Sequence, residues 1–361
     1  MKVGILTFHN AYNYGAILQA FATQEIVKGY GHEVEVINYL NSAICSDYES
    51  LKFHLDTLPK RGIKKIAEYI IEKYFYWRKR RSFKKFIKQR ITLSKTTFYQ
   101  GKLLDFSHYD VVLIGSDQLW NKDLTGGFDD AYWGEFYTKP EARIIAWSIC
   151  MNNLTLNDED KHYISNHLHN FNAISVRETS LQKFLKDLSG GEYHQTLDPT
   201  LMLRKDKWES LCHPVKEDNY ILVYAVQDED QTLDYAKKLA YALGKRIVII
   251  RSYCRYNWTK ENKEYAGPSE FLSYIQQADI VVTTSFHGTA FSLLFQKQFV
   301  CPIFRDNTRI ESLLGVLELK SRQVHGVKDA LSLEPINYTS VEQKIEMIKN
   351  GTELFLKSVL N

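Results

Sequence analysis

The chain has 361 residues, 44% hydrophobic and 25% charged, which is enough for two domains of ordinary size, each with its own core. Its 46 Lys and Arg against 43 Asp and Glu leave a formal charge of +3, too small for a global field that would draw nucleic acid. Five cysteines (Cys45, Cys150, Cys212, Cys254 and Cys301), odd in number and never spaced CxxC, read as small hydrophobes in a reducing cytoplasm.

The opening "MKVGILTFHNAYNYG" has an apolar run too short for a signal peptide, broken at His9 and Asn10, and it reads as a first strand from Lys2 to Phe8. A helix over Gly15 to Lys28 and a strand over Glu33 to Tyr39 complete a right-handed βαβ unit. Residues 60–90 differ from everything around them, with thirteen Lys or Arg against Glu68 and Glu72. There Ile63, Ile66, Ile70, Tyr74 and Trp77 recur at helical spacing, with Phe83, Phe86 and Ile87 further on, which predicts an amphipathic basic helix or helix pair. Its plain reading is a solvated face over a core stripe. The alternative is a surface for anionic lipid or a lipid-diphosphate-linked acceptor.

Further strands are expected at Asp110 to Gly115, Arg143 to Ser148 and Ala173 to Val176. A second series follows at Tyr220 to Val226, Lys245 to Arg251, Asp279 to Thr284 and Phe299 to Phe304, with helices at Gln231 to Leu243, Ser269 to Gln277 and Thr289 to Phe295. This alternation predicts an α/β protein of two Rossmann-like domains facing a cleft: 1–205, with the basic insertion at about 55–100, and 206–335. A last helical run, Val341 to Leu360, has no strand partner and is expected, within 336–361, to pack back across the domains. No stretch is long and apolar enough for a membrane span, so the chain is expected in the cytoplasm, at most attached to a membrane surface.

Polar residues gather at the expected strand ends, where open α/β sheets bind ligands. "TFHNAYNYGAILQAF" places His9, Asn13, Tyr14 and Gly15 between strand and helix, with Gln19 in the helix's first turns. As structure alone, Asn13 and Gly15 make a turn and a helix start. "VVLIGSDQLWN" offers Ser116, Asp117, Gln118 and Trp120, hydrogen-bonding groups beside an aromatic face, which suits a sugar. "ISVRETS" delivers Arg177 to a strand end, although a lone Arg-Glu is usually a surface ion pair. "ADIVVTTSFHGTAFSLLF" sets His287 between a buried strand and a buried helix, followed by Gly288 and Thr289. The first N–H groups of a helix carry partial positive charge, so His287 lies beside an anion site that a glycine lets a ligand approach.

Together with "LDPTL", these segments occur in the order and spacing of the polysaccharide pyruvyl transferase family, which the sequence resembles over about residues 1 to 325. The resemblance implies a glycosyltransferase-B-like pair of Rossmann domains. It also implies transfer of pyruvate from phosphoenolpyruvate to a sugar of a surface polysaccharide or its lipid-linked precursor, forming a cyclic ketal. By the same resemblance His287 is catalytic and Arg177 helps hold the donor; the domain 1–205 is expected on the acceptor side and 206–335 on the donor side. One departure stands out: some members have an arginine two residues before the histidine, where this chain has Ser285. The missing cation then has to come from elsewhere, with Arg305 and Arg309 as candidates.

The reaction so implied asks for chemistry that these residue types supply. A phosphate and a carboxylate call for fixed cations and N–H donors, which Arg177 and the helix start at Ser285, Gly288 and Thr289 offer. Ketal formation protonates the enol carbon, for which a histidine is suited, and Asp117 or His9 is available as a base toward the sugar hydroxyl. No cofactor is required, and no metal site is expected: His162, His167 and His169 do not share one helix face. GxGxxG and GxxxxGK[ST] are absent from these strand ends, which speaks against NAD and P-loop chemistry. Two other functions share the cleft: a glycosyltransferase using a nucleotide sugar, and a non-catalytic sugar-binding protein.

Overall fold

The computed structural model describes residues 1–49, 63–151, 154–251, 261, 263 and 265–361. Cys254, Lys60 and Arg61 lie outside them. Two all-parallel sheets form the frame. The first has seven strands in the order β3-β2-β1-β4-β5-β6-β7, namely β1 (Lys2–Leu6), β2 (Glu33–Leu40), β3 (Leu93–Tyr99), β4 (Val111–Ile114), β5 (Arg143–Ile149), β6 (Ala173–Val176) and β7 (His194–Gln195). The second has five, in the order β12-β11-β10-β8-β9: β8 (Tyr220–Ala225), β9 (Arg246–Arg251), β10 (Ile280–Thr283), β11 (Gln298–Pro302) and β12 (Gln323–Val324). Central strands such as Val-Val-Leu-Ile of β4 are buried throughout, because helices cover both faces of a parallel sheet.

The two sheets share one apolar seam. Tyr14, fully buried at the start of helix Tyr14–Gly29, stacks on Phe271 of helix Pro268–Gln277 at 4.5 Å and donates its hydroxyl to Ala266 O at 2.7 Å. Phe21 and Phe291 meet the buried Trp208 edge-on at 5.6 and 5.0 Å. Each such aromatic pair contributes roughly 0.5–1.5 kcal/mol beyond the burial of its area. The helix Tyr338–Leu360 straps the two halves together. Tyr338 donates to Lys297 O, while Thr352 Oγ1 accepts from Leu197 N at 3.0 Å and Asn361 O accepts from Arg143 Nη1 at 3.1 Å.

The basic segment is a single helix, Ile63–Arg90. The apolar stripe expected under it is not continuous. Phe83 and Phe86 are buried, whereas Ile70, Tyr74 and Trp77 are 51%, 52% and 52% exposed. Trp77 and Phe83 are six residues apart, which at 3.6 residues per turn turns them about 120° away from one another around the helix. Among the described residues no helix is long and apolar enough to cross a membrane.

Candidate active site

The carboxyl ends of both sheets face one another, and the site is assembled from the loops they bear. Beyond β10, Ser285 caps helix Phe286–Leu294 by accepting from Gly288 N at 3.4 Å. The helix therefore starts three residues earlier than expected, and His287 lies in its first turn. The imidazole is buried against the start of helix Tyr14–Gly29: a Cβ on Gly15 would stand 2.0 Å from His287 Nδ1. Gly15 thus marks a close approach of backbone to imidazole, and any side chain there would displace the ring.

His287 Nε2 faces the carboxylate of Asp198 at 3.8 Å. Asp198 has a fully buried side chain and caps the short helix Pro199–Met202, accepting at Oδ1 from Thr200 N at 2.8 Å and Thr200 Oγ1 at 2.6 Å. Its Oδ2 accepts from Arg177 Nη1 and, at 3.3 Å, from Ser116 Oγ. Arg177 comes from the end of β6, lies 4.7 Å over the Phe286 ring, and has Asp117 Oδ1 3.6 Å from its Nη2. Asp117 takes φ +90°, a region L-residues seldom adopt.

Next to these groups is a cavity of about 120 Å³ between the two halves, walled by Arg177, Glu178, Asp198, Phe286, Arg309 and Ser312 among others. His287 is not in the wall itself; it adjoins the cavity through Asp198 and Phe286. Several buried polar atoms here find no hydrogen-bond partner among the described residues: Arg177 Nε and Nη2, Glu178 Oε2 and His287 Nε2. Buried polar groups are nearly always partnered in folded proteins, so their concentration around one cavity marks a place built for a polar ligand.

Electrostatics separate the groups. Burial pushes the His287 imidazole below its ordinary value; Asp198 and Asp117 pull it back, while Arg177 and Arg309 reinforce the burial. Burial alone would raise Asp198, but Arg177, then His287 and the Thr200 bonds, outweigh it and hold this carboxyl below the usual range. Glu178 goes the other way, raised by burial despite Arg177 and the 2.7 Å bond from Cys150. The Cys150 thiol is pushed far up by burial and by Glu178, so it is an inert donor and not a nucleophile.

The other expected site residues separate into groups. Ser116 belongs to the cluster, and Gln19 supports it from behind, donating to Thr7 Oγ1 at 2.7 Å and accepting from Ser116 N at 3.2 Å. Asn13 caps helix Tyr14–Gly29, accepting from Ala16 N at 3.3 Å, and with Gln118 stays partly exposed. His9 is buried between Thr7 O at 3.2 Å and Asn38 Oδ1 at 3.0 Å, and burial lowers it.

Five expectations are corrected. Trp120 is fully buried, stacked on Trp133 at 4.2 Å with its indole N–H donated to Tyr132 O, so it has no face for a sugar. Tyr14 serves the seam between the sheets. Gly288 makes room for protein, since a Cβ there would stand 2.2 Å from Thr283 Oγ1; Thr289 points into the core, donating to Ser285 O at 3.1 Å with Cys301 Sγ at 3.3 Å. Of the two candidate cations, Arg305 pairs with Asp228 away from the cavity, whereas Arg309 lines it and acts electrostatically on His287, Glu178 and Cys150.

Asp198, Glu178 and Phe286 were not singled out from the sequence. Asp198 had a signal, since Asp-Pro-Thr reads as a helix cap with Pro at the first position. That is a structural signature and says nothing of Arg177. Among the described residues, no group of three His, Cys, Asp or Glu is arranged to hold a metal.

The sequence pattern of the family described as polysaccharide pyruvyl transferase matches residues 13–301. No curated protein sequence matches the chain. Among solved structures, UDP-GlcNAc 2-epimerase from Neisseria meningitidis superposes with a TM-score of 0.50 at 12% identity, covering 100% of both chains. A Listeria monocytogenes protein assigned as a UDP-N-acetylglucosamine 2-epimerase gives 0.52 at 11%, covering 99% of this chain and 96% of its own. A spinosyn rhamnosyltransferase gives 0.46 at 9% over 100% of both chains. At such identities the likeness is one of fold, a glycosyltransferase-B-like arrangement of two parallel-sheet domains.

Proposed function

We propose that this chain, which belongs to the polysaccharide pyruvyl transferase family, moves pyruvate from phosphoenolpyruvate onto two hydroxyls of a sugar to form a cyclic ketal. One observation carries the reading: Arg177 and Arg309 wall an interdomain cavity together with Asp198, which pairs with Arg177 and faces His287 Nε2, an atom with no hydrogen bond among the described residues. Two fixed guanidinium groups suit a donor with a carboxylate at one end and a phosphate at the other.

In the reaction so proposed, His287 Nε2 gives a proton to the methylene carbon of the donor, which becomes a methyl group. A first sugar hydroxyl bonds to the neighbouring carbon and loses its proton to a base, the role assigned here to Asp117. A second hydroxyl then bonds to the same carbon as its bond to the phosphate oxygen breaks. Phosphate leaves with that oxygen, and the second hydroxyl proton leaves with it. His287 has to be protonated to act, and burial opposes this. A bound dianionic donor favours the imidazolium in the same way as Asp198 does.

The test is phosphate release from phosphoenolpyruvate, together with a new ketal methyl resonance, when the protein is incubated with a pyranoside bearing a free diol. No turnover is expected with nucleotide sugars. His287→Gln should lower kcat by about 10²- to 10⁴-fold, the usual contribution of a positioned acid, because glutamine keeps a hydrogen bond but delivers no proton. Near-normal turnover by correctly folded His287→Gln would overturn the acid role, and turnover of a nucleotide sugar in place of phosphoenolpyruvate would overturn the donor.

A further inference from the structure

The helix Ile63–Arg90 has two unlike sides. Its inner side is built into the fold: Phe83 and Phe86 are buried, Lys79 Nζ donates to Arg251 O at 2.6 Å, and Arg80 Nε donates to Tyr12 OH at 2.8 Å. Its outer side follows from the helical repeat. Counting 3.6 residues per turn from Tyr74, the residues turned away from Phe83 include Ile70, Trp77, Arg78, Arg81, Lys84, Lys85 and Lys88. Glu68 and Glu72, the only acids of the helix, fall on the inner half. The outer face therefore holds an apolar, aromatic end and a purely cationic end in one stripe.

The aromatic end is ordered although exposed. Tyr74 and Trp77 stack at 6.3 Å, with the Arg81 guanidinium 5.4 Å over Trp77 and that of Arg78 5.9 Å over Tyr74 and 4.5 Å over Tyr265. Charge is segregated to match. Residues 60–90 hold thirteen basic and two acidic residues, so the remaining 33 basic and 41 acidic residues make the rest of the chain net negative. A protein arranged in this way turns one face toward an anionic plane and is repelled elsewhere.

We propose that this outer face docks on an anionic lipid bilayer, with Ile70, Tyr74 and Trp77 seated among the headgroups and Lys84, Lys85 and Lys88 over the lipid phosphates. Amphipathic aromatic rings favour that depth, and clustered Lys and Arg supply the attraction to the anionic surface. Where the proposed function also holds, the placement has a purpose. The inner side of the same helix contacts Tyr12, next to Asn13 and Gly15, so a lipid-borne sugar would be presented beside the site.

The experiment uses the full chain sedimented with phosphatidylcholine vesicles with and without phosphatidylglycerol. Binding should require the anionic lipid and weaken as salt is raised. Lys84→Gln/Lys85→Gln/Lys88→Gln and, separately, Tyr74→Ser/Trp77→Ser should each lower the partition coefficient at least about tenfold, with circular dichroism unchanged. Equal binding to neutral and anionic vesicles, no binding to either, or unaltered binding by both variants would overturn the proposal. Because vesicle binding needs no turnover, a chain that binds but does not consume phosphoenolpyruvate would refute the proposed function and leave the docking surface standing.

Discussion

Replacing Asp198 by asparagine is the most demanding test of the site, because one buried carboxylate serves four partners. Asparagine can keep both bonds from Thr200 through Oδ1, so the helix cap survives. What is lost is the charge beside Arg177, whose side chain is only 3% exposed. Breaking a buried ion pair by removing one partner costs about 3–5 kcal/mol, mostly because the other charge is left uncompensated. Asp117 at 3.6 Å from Arg177 remains as a partial partner, so the lower end, about 3 kcal/mol, is expected. At about 2.1 cal/mol/K per residue the unfolding entropy of a chain of 361 residues is about 0.76 kcal/mol/K, so the change lowers Tm by roughly 4 °C. The loss should be partly reversed by adding Arg177→Met, since the double variant no longer buries the guanidinium without its main partner. His287 also loses the carboxylate that does most to raise it, so the limb of the kcat profile that falls with rising pH should move to lower pH. Scanning calorimetry of both variants and a pH series of kcat read out the two effects. If Asp198→Asn melts with the wild type and Arg177→Met fails to rescue it, the buried pair does not hold the site and the reasoning is wrong.

Other outcomes follow from the same contacts. Gly15→Ala should lower kcat at least about 100-fold by pushing the imidazole off its position, since a misplacement of 1 Å can cost that much; normal kcat in the folded variant would mean that the ring has room to move. Arg309→Gln should raise KM for phosphoenolpyruvate while Arg305→Gln leaves it unchanged, and a reversed order in steady-state kinetics would show that the cavity is not the donor site. His287 and His9 are both lowered by burial, so below pH 6.5 the unfolded chain binds more protons than the folded one and stability falls as pH drops. Urea midpoints at pH 7.5 and 5.5 should therefore differ by less in His287→Gln than in the wild type.

Much of this organisation is legible in the sequence, for a reason that also sets its limit. Alternating buried strands and helices declare themselves through period and composition, and polar residues at the strand ends stand out against apolar runs. The three strands not read, Leu93–Tyr99, His194–Gln195 and Gln323–Val324, are edge strands or neighbours of the edge. Leu-Ser-Lys-Thr-Thr-Phe-Tyr has too many polar residues to resemble the buried centre, and a two-residue strand has no period. Trp120 shows the opposite failure. An aromatic next to Asp and Gln looks like a sugar platform, but sequence neighbours do not reveal Trp133, thirteen residues on, as the ring that covers it. Gly15 and Gly288 look alike as glycines at helix starts. One is kept small by an imidazole from the other sheet and the other by Thr283 of the preceding strand, contacts that only the tertiary structure makes.

The arrangement around Arg177 accounts for how a site can store charge without neutralising it. Asp198 and Asp117 fix the guanidinium from two directions, yet Nε and Nη2 stay without a hydrogen bond among the described residues, and Phe286 covers one face of the plane. The carboxylates therefore orient the cation more than they satisfy it, and an anion entering the cavity finds donors already aimed and already desolvated. Orientation settled during folding leaves little to reorganise on binding, and this is how preorganised charge does most for catalysis. The cost appears elsewhere in the molecule. Three acids, two arginines and a histidine are gathered around one cavity, and the aromatic seam of Tyr14, Phe271, Trp208 and Phe291 holds the halves together around them. Weakening that seam, for example by Phe271→Ala, should therefore loosen the site before it unfolds either sheet. Activity would then be lost at lower urea than the far-ultraviolet circular dichroism signal, and coincident transitions would show that seam and sheets unfold as one unit.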